Sequence, residues 1–113
     1  MARTRSQWLG PAGRPVAVPE DVDDPAPVKA WGLVKVPFHI RWSEPSLTYD
    51  LGDRADRMRV YEQVLREGTD EDVRYFIDVD ELPGMWSDLL LPPTVRRAWI
   101  GWFHSHRSID LAC

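Results

Sequence analysis

From residue 49 to 103 the apolar positions recur with a helical period, and just before that block they alternate. Leu51, Ala55, Met58, Tyr61 and Leu65 are spaced four, three, three and four apart, with Val64 beside them. That is the 3.6-residue repeat of an amphipathic helix, and Arg54, Arg57, Arg59, Glu62 and Arg66 form its polar face. Asp53 is placed as N-cap or first-turn acid, and Gly68 as the left-handed residue that ends the helix. Thr69 with Asp72 predicts a capping box and a second helix, whose apolar face is Val73, Phe76 and Ile77. Asp78 or Asp80 caps a third, with Met85, Trp86, Leu89 and Leu90 as its face. Pro83 fits there only in the first turn, and Pro92-Pro93 stop the helix. The last helix starts near Pro93 or Thr94 and carries Val95, Ala98, Trp99, Trp102 and Phe103 on one face.

Upstream, Val34, Val36, Phe38, Ile40 and Trp42 alternate with Lys35, Pro37, His39 and Arg41. Period two predicts a half-buried strand over 34–42, and Pro37 confines it to an edge. A lone strand cannot satisfy its own backbone. Its partner is sought in Val16-Ala17-Val18, along the helices, or in another chain by strand addition. Residues 1–30 hold five of the ten prolines and no apolar period, so they read as a flexible arm. The expected fold is mainly α: a small bundle of three to four short helices preceded by one strand and a disordered Pro-rich arm. Its divisions are arm 1–30, a single domain 31–103, and tail 104–113.

Length and composition limit the alternatives. At 113 residues with 43% hydrophobic content and six Trp, one folded domain is expected. A helical block of about 55 residues is marginal alone, so it should recruit the strand, a partner chain, or both. No apolar run is long enough for a membrane span, no signal peptide is read at the start, and one cysteine gives no internal disulfide. A cytoplasmic protein is expected. The block 49–103 has seven Arg against twelve acids, a net of −5, which disfavours nucleic acid as a partner because phosphate binding wants a basic excess.

No enzyme motif is present, and no cofactor is expected. His104-Ser105-His106, with Cys113, is the one cluster of metal-ligand types, but it lacks the paired spacing of a zinc site, so no metal is assigned. Asp78, Asp80 and Glu81 could be paired carboxylates, although capping and solvation account for them. The aromatic face of the last helix has two readings: Trp99, Trp102 and Phe103 fill the core, or part of the face is exposed and meets a partner. In a helix-turn-helix reading, Arg96 and Arg97 lie early on a recognition helix.

Arg41-Trp42-Ser43, Tyr49-Asp50-Leu51, the run from Val60 to Thr69, and Leu91-Pro92-Pro93 with Val95-Arg96-Arg97-Ala98-Trp99 resemble a group of short actinobacterial proteins of uncharacterised function. That group is associated with loci of nucleotidyltransferase-type toxins and antitoxins. The resemblance covers about residues 40–100 and implies an accessory or antitoxin-like protein, with no catalytic residue to carry over. Pro83-Gly84 departs from it by interrupting an expected helix, and residues 101–113 have no counterpart in it. The expected function is therefore a non-catalytic, protein-binding accessory or homodimer, touching its partner through Phe38, Trp42, Trp99, Trp102 and Phe103. The alternative is a small DNA-binding regulator using Arg96 and Arg97.

Overall fold

The computed structural model describes residues 16–24, 28–37 and 48–112. The elements run β1 Leu33–Lys35, β2 Thr48–Asp50, α1 Arg54–Glu67, α2 Asp70–Phe76, α3 Leu82–Met85, a 3-10 turn at Trp86–Asp88, and α4 Pro93–Arg107. The protein is mainly helical, as its periodicity predicts, with a short two-stranded antiparallel sheet.

Local chemistry sets most boundaries. The Asp53 carboxylate accepts the Asp56 N–H at 3.0 Å and starts α1 one residue later. Thr69 and Asp72 form the expected capping box, with each side chain bonded to the other's backbone N–H. Pro83 lies in the first turn of α3, where its missing N–H costs nothing. The third helix is only four residues long and continues as the 3-10 turn. Leu82, Met85, Trp86 and Leu89 are buried, but Leu90 points out. Gly68 ends α1 with φ −76°, not in the left-handed conformation its position predicts. Glycine is favoured there by crowding: a Cβ would lie 2.6 Å from the Val64 carbonyl, which the Gly68 N–H itself bonds at 2.8 Å.

The strand finds its partner at the front of the expected helical block. Leu33, Val34 and Lys35 pair with Asp50, Tyr49 and Thr48. Tyr49 and Asp50 are thus strand, not helical lead-in, and Val16-Ala17-Val18 is not the partner. The Leu51 N–H donates to the Gly32 carbonyl at 2.8 Å. By the antiparallel alternation, Val34 and Tyr49 then exchange the next pair of bonds, while Leu33 and Lys35 direct their N–H and C=O away from β2. The Asp50 N–H, also turned outward, is taken by Asp56 at 3.0 Å. Val34 and Tyr49 share the core-facing side, and Leu33, Lys35, Thr48 and Asp50 face out. Most of the expected strand beyond Pro37, with Phe38 and Trp42, lies outside the described residues.

The core reaches well ahead of residue 31. Val16, Ala17, Val22 and Ala30 are buried together with the helices. Asp21 pairs with Arg74 at 2.8 Å, and the Lys29 ammonium donates to the carbonyls of Val22 and Arg74. Over its described part, then, the expected arm is a packed layer. A helical block this small has too little surface of its own to bury and recruits these aliphatic side chains.

The chain also stays ordered past Phe103. α4 continues to Arg107 and is closed by Ser108 in the left-handed conformation, φ 54°, with the Ile109 N–H reaching back to the Phe103 carbonyl at 3.2 Å. Ile109 and Leu111 pack against the core, and the Trp86 indole N–H donates to the Ala112 carbonyl at 2.8 Å. Through residue 112, the expected tail is partly helix and partly a strap over Trp86.

Candidate functional site

The aromatic face of α4 is interior. Trp99 and Phe103 have no exposed surface, Trp102 is buried, and their rings pack at centroid distances of 5.0 to 6.3 Å. This corrects the docking reading of Trp99, Trp102 and Phe103. As the widest side chains on a fully periodic face, they fill the centre of a domain that has few other large residues to do so. The indole N–H groups of Trp99 and Trp102 are buried without acceptors among the described residues.

Arg96 is also committed within the fold. Its guanidinium lies 4.8 Å over the Trp86 ring, and Nη1 donates to the Leu89 carbonyl at 3.3 Å. Arg97 is exposed on the same helix. A recognition helix needs a free face for a groove, and α4 buries its broad face in the core.

The remaining polar clusters resolve into structural contacts. Asp78 Oδ1 accepts the Asp80 N–H at 2.9 Å, Asp80 pairs with Arg107 at 2.8 Å, and Glu81 pairs with Arg57 at 2.6 Å. Neither aspartate caps α3; Glu81 stands at its N-cap without a side-chain bond. Arg107 also approaches Asp23 at 3.7 Å, across a cavity of about 180 Å³ flanked by Asp24 and Lys29. His104 meets Asp110 at 2.9 Å, while His106 stacks on Trp102 and lies 3.1 Å from Ser105 Oγ. The acid therefore sits on the imidazole that does not touch the serine, and the constellation is not a relay. Among the described residues, no group of three or more His, Cys, Asp or Glu is disposed to hold a metal ion.

Two surface features stand out instead. The first is apolar exposure at one end of the sheet. Val28 is 84% exposed, Trp31 69% and Leu33 75%, all within six residues. Tyr75, 50% exposed, belongs to the same neighbourhood, because the Ala30 N–H bonds the Tyr75 carbonyl at 2.8 Å. This stretch leads directly into the edge where Leu33 and Lys35 turn their backbone groups away from β2.

The second feature is a cavity of about 140 Å³ beneath Trp31. Leu51, Phe76 and Ala30 form its apolar floor. Arg57 and Tyr61 enter from α1, and Asp78 and Glu81 from the turn before α3. The Asp78 N–H donates to Tyr61 Oη at 2.9 Å. Burial pushes the Tyr61 phenol up to about 12, with the nearby Glu81 and Asp78 charges adding to the shift. Burial lowers the Lys29 ammonium, and Asp78 opposes that shift.

No known protein family, curated protein or solved structure matches this chain. Sequence reasoning missed Trp31, Leu33 and Tyr75 because they sit off the helical and strand periods. That lack of phase was the available signal. Arg57 reads as part of the polar face of α1 and Tyr61 as part of its apolar face, yet the two line the same cavity. No helix among the described residues is long and apolar enough to cross a membrane.

Proposed function

We propose that this is a non-catalytic, cytoplasmic accessory protein that binds an extended segment of a different protein along β1. The observation that carries this reading is the run of exposed apolar side chains, Val28, Trp31 and Leu33, leading into a strand whose outward backbone groups have no bond among the described residues. An added strand would satisfy those groups, and its side chains would cover Trp31 and Leu33. Exposed Trp beside an edge unpaired among the described residues is the composition that anchors protein interfaces. Within this class, the resemblance over residues 40–100 favours an antitoxin-like neutraliser.

The test is co-purification of the tagged protein from its native cell, followed by identification of any stoichiometric partner and measurement of its affinity. Leu33→Asp and Trp31→Ala are expected to weaken that complex at least tenfold while the helical signal in circular dichroism is unchanged. A complex that survives both substitutions overturns the reading. Light scattering of the purified chain separates a heterologous partner from self-association: a dimer abolished by Leu33→Asp would make the occupant a second copy.

A further inference from the structure

The cavity beneath Trp31 lies at the start of the β1 edge. Ala30 and Trp31 line it, and Leu33 then opens the strand whose outward backbone groups have no bond among the described residues. A segment paired with Leu33 and Lys35 and continuing past the start of β1 therefore passes Trp31. In strand addition, main-chain bonds supply affinity and pockets for alternate side chains supply specificity.

The lining restricts what such a pocket can hold. Its charged groups are two cations, Lys29 and Arg57, and two carboxylates, Asp78 and Glu81, so the wall as a whole favours neither sign. Each is already engaged: Arg57 with Glu81 at 2.6 Å, the Lys29 ammonium with the Val22 and Arg74 carbonyls, and Asp78 Oδ1 with the Asp80 N–H at 2.9 Å. A charged occupant would give up its water and meet only counter-charges that are already bonded. The accessible wall is mainly apolar, over Leu51, Phe76 and Ala30. An uncharged ring therefore gains most, by leaving water and by meeting the Phe76 and Trp31 rings edge to face. The volume, about 140 Å³, is close to the roughly 150 Å³ known to hold one benzene ring.

We infer that this cavity is the specificity pocket of the β1 edge and takes one phenylalanine side chain from the segment that adds there. The inference rests on strand addition for the source of the ring, but the fit of the ring to the cavity is measurable without it.

The full chain, labelled with ¹⁵N, is titrated with N-acetylphenylalaninamide and with its alanine, glutamate and lysine counterparts while the Leu51 amide resonance is followed. The phenylalanine compound is expected to shift it saturably, with the other three about tenfold weaker or more. Ala30→Leu, which fills the cavity, should weaken that binding about tenfold. Should that variant fail to fold by circular dichroism, Trp31→Ala removes an exposed wall of the cavity and carries the same expectation. Leu33→Asp, which blocks the edge but not the cavity, should leave it unchanged. A strand peptide, acetyl-Val-Thr-Phe-Thr-Val-amide, should bind about tenfold tighter than the single-residue amide, and Leu33→Asp should remove that gain. No saturable shift with the phenylalanine amide, equal binding of the alanine or charged counterparts, or unchanged affinity in the folded cavity variant would overturn the pocket and leave strand addition standing. A ring that binds while the peptide gains nothing from the edge would overturn the assignment of its source and count against strand addition itself.

Discussion

The aromatic face of α4 and the aromatic edge at Trp31 are built from the same residue types and do opposite things. Trp99, Trp102 and Phe103 recur at helical spacing and are buried. Trp31 follows no repeat, precedes a glycine with φ 76°, and is two-thirds exposed. A periodic apolar face is enclosed because a helix rotates all of it toward the core at once. An out-of-phase aromatic is oriented by its backbone alone, and here that backbone is tied down through Ala30 to the end of α2. A cluster of aromatics thus marks a core when it is in phase and marks a surface when it is not.

That contrast can be broken by stability measurements. Trp99→Ala should cost about 3–5 kcal/mol in chemical denaturation, as fully buried aromatics do, whereas Trp31→Ala should fall within about 0.5 kcal/mol of the wild type. Equal effects at the two positions would remove the distinction. Val22→Ala comes next. Two buried methyl groups and the space they leave should cost about 2 kcal/mol if residues 16–24 belong to the core. A neutral result would return that segment to a detached arm.

Alkaline pH sharpens the picture of the cavity. The folded Tyr61 holds its proton to about 12, while the unfolded chain releases it near 10. Between those values the folded state binds more protons, so stability falls as pH rises. The wild type should lose about 1.4 kcal/mol more than Tyr61→Phe between about pH 9 and pH 11. Parallel pH curves for the two proteins would place Tyr61 in a more solvated setting. A smaller gain is expected at the end of α4. Ser108→Gly should stabilise by about 1 kcal/mol, because glycine adopts the left-handed conformation without the Cβ penalty. A loss of stability instead would show that the Ser108 side chain contributes to the cap.

The helices, two of their caps and the class of fold were legible in the chain itself. Asp53, the Thr69–Asp72 box and Pro83 act locally, through bonds to backbone groups no more than a few residues away. The sheet was half legible: the period of Val34 and Val36 marked a strand, but its pairing with Tyr49 crosses an intervening segment and depends on which backbone groups meet in space. The candidate sites were not legible. The residues singled out for docking were the most hydrophobic, and hydrophobicity argues equally for burial and for contact; only packing tells the two apart. Arg57, Tyr61, Asp78 and Trp31 form a cavity because α1, the turn before α3 and the segment ahead of β1 converge there. Local periodicity determined which residues became helical and which faces they would bury. Tertiary structure alone decided which aromatic stayed outside and which distant side chains came to line one cavity, because exposure and convergence are properties of the whole packed chain.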